Sequence, residues 1–296
     1  MSGRSGRGLL AERWNSPAVS RTALGVRLRQ FRERCGLFAE EAGRGVGVSG
    51  SDITHLEQGQ DGWGSSMVSA LLTLYDVVDE ADRARVLALT GQANAPGWWQ
   101  PYQDFLPFWA QTYLGLEQAA VRIRSFTPRF IPGLLQTESY AREVIRLDYP
   151  HAPEGEVERR VELRMRRQQI LHQARSPHLW AVIDEAALRR AVTGTDLMRA
   201  QIQHLIATSD DLPHVTVQIL PFESGGRCGS SAPVTLMRLL DGGVPDIVYL
   251  EQPTSGVYLG RPADLDYYRH VMNRLATKAA PTAATSTLLR RILSDL

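Results

Sequence analysis

LGVRLRQFRERCGLFAEEAGRGVGVSGSDITHLEQG, residues 24 to 59, is the stretch from which the fold of the first domain follows. Leu24, Leu28 and Phe31 fall three or four apart, the spacing of one helix face, and Gly36 stands where a helix closes on a left-handed glycine. Leu37 to Val46 reads as a short second helix, Gly47-Val48-Ser49 as a turn ending in a capping serine, and Ser51 to Gln58 as a third helix stopped by Gly59. Downstream, Met67 to Tyr75 and Glu80 to Ala93 complete five short helices. Upstream, residues 1 to 22 are rich in Gly, Ser and Arg, with Arg4, Arg7, Arg13 and Arg21 set against Glu12 alone, and read as a mobile basic arm.

After Pro96-Gly97 the composition turns aromatic (Trp98, Trp99, Tyr102, Phe105, Phe108, Trp109, Tyr113), which places a domain boundary there. Helical spacing recurs over Leu116 to Arg124, Glu138 to Leu147, Gly155 to Ala174, Leu197 to Thr208 and Pro262 to Ala276. Strand-like runs are His178 to Ile183, Val215 to Leu220, Val234 to Leu239 and Ile247 to Leu250, and Arg122 to Arg129 also alternates like a half-buried strand. The expected division is an arm over 1–22, a helical domain over 23–97, a ligand or partner domain over 98–277, and a linker with a last helix over 278–296. The expected class is α+β, the second domain combining helices with an antiparallel sheet.

A length of 296 residues suits two domains, and 43% hydrophobic with 22% charged residues describes a globular chain, not a disordered or supercharged one. No apolar run is long enough for a membrane span or a secretory signal, so a soluble, cytoplasmic protein without membrane contact is expected. Cys35 and Cys228 are the only cysteines, too few for a disulfide framework and without zinc-site spacing; neither metal nor cofactor is expected.

Leu24-Gly25-x-Arg27-Leu28-Arg29, Gly36-Leu37, Gly47-Val48-Ser49 and Ile53, Leu56, Glu57 and Gly59 resemble the helix-turn-helix domain of the Xre/Cro repressor-like family. Gly97-Trp98-Trp99-Gln100, Pro132-Gly133-Leu134-Leu135-Gln136-Thr137-Glu138, Arg164-x-x-Arg167-Gln168, Asp184-Glu185-Ala186-Ala187-Leu188-Arg189-Arg190 and Val217-x-Ile219-Leu220-Pro221-Phe222 widen the resemblance. The whole chain is similar to actinobacterial regulators that join such a domain to a C-terminal DUF5753 domain. That resemblance implies DNA binding through the third helix in the major groove, as a homodimer because one helix-turn-helix reads too short a site. The contacting residues would be Arg27, Arg29, Ser49, Ser51, Asp52, Thr54 and His55.

Two features run against the groove. Asp52 stands where relatives carry donors, and a carboxylate aimed at phosphates repels them. Between residues 23 and 97 seven arginines face ten acidic residues, a net charge of −3, whereas counterion release by basic groups supplies most non-specific affinity. Gly43, Gly45 and Gly47 further weaken the second helix, at about 1 kcal/mol each relative to Ala. The arginines at 27, 29, 32 and 34 and the arm are the compensating charge.

In the second domain, Trp98, Trp99, Tyr102, Arg124, Tyr249 and Glu251 are candidates to line a ligand pocket, although aromatic runs more often seal two domains together. Asp184, Tyr249 and Glu251 at strand ends are candidates for acid–base work, with Asp184 equally placed to cap a helix. Cys228, in a glycine-rich loop beside Arg227, is the candidate nucleophile. The charged helix from Gly155, with Glu156–Arg160 and Glu162–Arg166 four apart, reads as a salt-bridged surface. Two functions follow: a DNA-binding regulator whose second domain senses a small molecule or a protein partner, or a scaffold with a vestigial helix-turn-helix whose second domain binds or converts a small molecule. No phosphate loop or serine elbow argues for an enzyme.

Overall fold

A computed structural model describes residues 16–59, 62–190, 194–224, 232–239 and 245–296; Cys228 and the arm up to residue 15 lie outside them. Among the described residues, those up to Ala119 form one compact unit, and nearly all from Ala120 onward form a second. The aromatic segment 98–113 therefore belongs with the helices, where the sequence placed it with the sheet.

In the first unit, α1 runs Pro17–Arg34, α2 Ala39–Val46, α3 Gly50–Glu57, α4 Ser65–Leu74, α5 Glu80–Ala93 and α6 Phe108–Ala119. The helix starts earlier than expected. Pro17 at its first position has the backbone angle a helix needs, and Ala18, Ser20, Arg21 and Thr22 are buried, so residues 17–22 are not part of an arm. Leu24, Leu28 and Phe31 pack with Ile53, Leu56, Val68, Leu71 and Leu72 in one core, each contributing about 1.5–3 kcal/mol. The glycines of α2 set this packing. A Cβ on Gly43 would lie 2.7 Å from the Val48 carbonyl oxygen, so only bare backbone lets α2 meet the turn so closely. Gly47 ends α2 at φ 80°, which a side chain disfavours.

In the second unit, β1 (Ala120–Thr127), β2 (His178–Asp184), β3 (Val215–Leu220), β4 (Val234–Leu239), β5 (Ile247–Glu251) and β6 (Gly256–Leu259) form one sheet in the order β3-β2-β1-β4-β5-β6. The class is α+β as expected, but the sheet is antiparallel only from β4 to β6; β1 pairs parallel with β2, and β2 with β3. Parallel neighbours need crossovers. Helices α7 (Glu138–Asp148) and α8 (Glu154–Gln168) provide the first, α9 (Glu185–Arg189) and α10 (Thr195–Asp211) the second. Residues 120–124, expected in a helix, belong to β1: α6 ends at Ala119, and the alternation of Val121 and Ile123 with two arginines fits a pleat.

One sheet face, with Phe126, Val182, Leu220, Val234, Leu236 and Val248, packs on Leu265, Val271, Met272 and Leu275 of α11 (Pro262–Lys278). On the other face, α10 and α12 (Thr285–Ser294) lie on β3, and the Thr285 hydroxyl donates to the Val217 carbonyl at 2.7 Å. No described helix is long and apolar enough to cross a membrane.

Candidate nucleic-acid interface and sheet-domain site

Ser49 caps α3 through a reciprocal box. Its Oγ accepts from the Asp52 amide at 3.1 Å, while Asp52 Oδ2 accepts from the Ser49 amide at 2.9 Å and hydroxyl at 2.7 Å. These bonds turn the Asp52 carboxylate back onto its own helix and hold it below the usual carboxylate range. Thr54 is turned inward as well, its hydroxyl donating to the Gly50 carbonyl at 3.0 Å. With Ile53 and Leu56 in the core, the exposed stripe is Ser51 and His55 of α3 and its C-cap Gln58, at i, i+4 and i+7.

The arginines of α1 are largely spent inside the domain. Arg32 clamps Glu57 with Nε–Oε1 at 2.6 Å and Nη2–Oε2 at 2.8 Å, and Nη1 donates to the Leu37 carbonyl; the two side chains are only 11% and 6% exposed. Arg27 meets Asp82 at 3.2 Å and Arg29 meets Glu33 at 2.7 Å, both near solvent, where such pairs contribute little. Arg44 is exposed on α2, its Nε donating to the Glu40 carbonyl one turn earlier at 3.4 Å. At the start of α2, Glu41 Oε2 accepts from the Phe38 amide at 2.7 Å, so α2 and α3 both carry a carboxylate of their own where a phosphate would bind.

In the second unit, the loop after β1 is held by glutamines. Gln136 Nε2 donates to the Ile131 carbonyl at 2.8 Å, and Gln168 Nε2 to the carbonyls of Gly133 at 2.9 Å and Gln136 at 2.7 Å. Gln201 donates to the Leu135 carbonyl and accepts from the Thr137 amide, both at 2.7 Å. Facing this loop from α8, Arg164 Nη1 donates to Gln136 Oε1 at 2.9 Å. Desolvation, reinforced by the like charge of Arg167, pushes the Arg164 guanidinium down to about 10 against the pull of Asp148 and Glu251.

A family model described as a domain of unknown function, DUF5753, matches residues 110–291, an interval holding all six strands and this loop. The chain belongs to the DUF5753 family. A second model, described as a helix-turn-helix domain, matches residues 23–86, the interval of α2, its turn and α3, and supports DNA as a partner. No curated protein and no solved structure matches this DUF5753 chain.

Within the DUF5753 region the sequence-derived acid–base candidates do not converge. Asp184 lies on the sheet face of Val182, whereas Tyr249 and Glu251 alternate with Val248 and point to the opposite face. Asp184 instead caps α9, its Oδ1 accepting from the Ala186 amide at 2.9 Å. Tyr249 is buried with its ring 5.2 Å from that of Tyr258. Arg124 sits on the Asp184 face, stacked 4.6 Å over the Trp180 ring; its Nε and Nη2 are sealed by protein and lack hydrogen-bond partners.

Ahead of that region, Trp99 is buried, its Nε1 donating to Gln111 Oε1 at 3.2 Å, and Trp98 meets it edge-on at 5.9 Å. Tyr102 is buried against Phe105. Trp99, Gln100, Gln103, Phe108, Gln111 and Arg21 line an open groove of about 430 Å³ in the first unit; none of Arg124, Asp184, Tyr249 and Glu251 lines it. Sequence reasoning gave no site role to Gln58, Gln136, Gln168 or Gln201 and did not foresee the inward turn of Arg164.

Proposed function

We propose that the protein is a DNA-binding transcriptional regulator of the Xre type, acting as a homodimer, whose DUF5753 domain senses a small molecule or a protein partner. The carrying observation is the capped α3 with Ser51, His55 and Gln58 outward and Asp52 folded back, which gives the groove-facing edge donors instead of a projecting carboxylate. Base and backbone hydrogen bonds carry the affinity more than charge does, since three α1 arginines are paired internally. Each phosphate neutralised contributes about 0.9 to the salt slope, so the slope is shallow for a repressor. Anisotropy titration of the full chain against genomic fragments at low and moderate salt tests this. Binding tighter than about 10 µM at low salt supports it, and no binding at that level removes it.

The second reading, a vestigial helix-turn-helix on a scaffold that binds or converts a small molecule, is favoured by the carboxylates occupying the N-termini of α2 and α3. The same titration separates the two.

A further inference from the structure

Arg164 differs from Arg160, which precedes it by one turn of α8. Arg160 has Glu156 one turn earlier and pairs with it at 2.6 Å; Arg164 has Arg160 and Gln168 at the corresponding positions. Its hydrogen bond is to the neutral amide of Gln136, and no carboxylate pairs with it among the described residues. Its Nε and Nη2 have no protein partner, yet they are not sealed as those of Arg124 are. A half-buried guanidinium that no carboxylate meets by hydrogen bond is costly to keep, even with Asp148 and Glu251 acting on it from further off. The cost is offset when an anion from outside completes the pair.

The surroundings are built to hold that guanidinium still. Gln136 is itself 3% exposed and is fixed through Ile131, while Gln168 ties Gly133 and Gln136 to α8. A Cβ on Gly133 would lie 3.7 Å from Arg167 Nη1, so a second guanidinium borders the same loop. The loop follows the carboxyl end of β1, a strand of the parallel part of the sheet, where α/β folds place ligands.

We propose that Arg164, oriented by Gln136, binds the carboxylate of a small organic acid at the carboxyl end of β1. The planar fork of one guanidinium matches a carboxylate with two parallel bonds. Asp148 and Glu251, which act electrostatically on Arg164, repel a dianionic phosphate more strongly than a monoanionic carboxylate. This rests on the reading that the DUF5753 domain senses a small molecule and names its class.

The test is arginine modification of the full chain by phenylglyoxal, mapped by mass spectrometry, at constant ionic strength in chloride, in benzoate and in inorganic phosphate at about 20 mM. A ligand present at twice its Kd slows modification about threefold, and that protection is expected at Arg164 with benzoate, with less for phosphate and none for chloride. Equal rates at Arg164 in benzoate and chloride overturn the site. Stronger protection by phosphate overturns the carboxylate assignment. Arg164→Lys keeps the charge without the fork and should lose benzoate binding, read by broadening of the benzoate NMR signals, at least about tenfold. If that variant does not fold, the modification experiment on the unaltered chain still decides. No DNA is present in either experiment, so failure here leaves a regulator that senses a protein partner, and failure of DNA binding leaves the carboxylate site standing.

Discussion

Replacing Asp52 by Asn removes a negative charge from the edge of α3 and leaves an amide oxygen that can accept from the Ser49 backbone N–H, as Oδ2 does at 2.9 Å. For a phosphate about 5–10 Å from that position, repulsion in a water-like dielectric corresponds to a roughly two- to fourfold weakening of binding, so Asp52→Asn should tighten Kd by about that factor at low salt. The gain shrinks near 0.15 M salt, where the screening length is about 8 Å. Asp52→Arg adds a cation at the same edge and should steepen the salt slope by about 0.9. Ser49→Ala is the control for the cap: it removes the N-cap oxygen, destabilises the helical domain by about 1 kcal/mol, and should lower its Tm by about 4–8 °C. The assay is anisotropy with one selected genomic fragment at two salt concentrations, beside calorimetric unfolding of the same variants. If Asp52→Asn and Asp52→Arg unfold like the parent and bind with unchanged Kd and slope, the N-terminal edge of α3 does not face DNA and the reasoning is refuted.

Arg32→Met leaves Glu57 buried without its partner and should cost the helical domain about 3–5 kcal/mol by denaturant unfolding, with Arg32→Met/Glu57→Met recovering most of it. Recovery absent from the double variant would show that the pair does not act as a unit. Gln201→Leu orphans the Leu135 carbonyl and the Thr137 amide and should destabilise the sheet domain by about 2 kcal/mol or more, with faster hydrogen exchange at Thr137. Asp52 titrates below its ordinary value in the fold, so its box stabilises α3 above the usual carboxylate range, and that part is lost as pH falls through the range and below it. Asp52→Asn should remove that acid-side component, measured as a flatter Tm against pH.

The helices of the first unit were legible because apolar spacing survives in sequence: Leu24, Leu28 and Phe31 form one buried row. Gly43 was misread as a defect because its role depends on the Val48 carbonyl, a partner that helix propensity does not register. The family resemblance puts Asp52 at the groove, but Ser49-x-x-Asp52 also has the spacing of a capping box, and the box is what forms. The strand character of β1 is visible from Arg122 onward, but the parallel pairing of β1, β2 and β3 is not, because alternation marks a strand without saying which neighbour it meets or in which direction. In sequence Arg164 belongs to a salt-bridged helix, and the missing acid one turn away on either side, which Arg167 shares, does not single it out; its contact with Gln136 does. The separation of Asp184 from Tyr249 and Glu251 onto opposite faces required the sheet register, which no local pattern contains.

The most direct test is guanine methylation interference on a genomic fragment bound by the full chain. If α3 lies in the major groove, N7 methylation at two clusters about one helical turn apart should block binding, one cluster for each subunit of a dimer. Binding untouched by N7 methylation, or no fragment bound at all, would contradict the account.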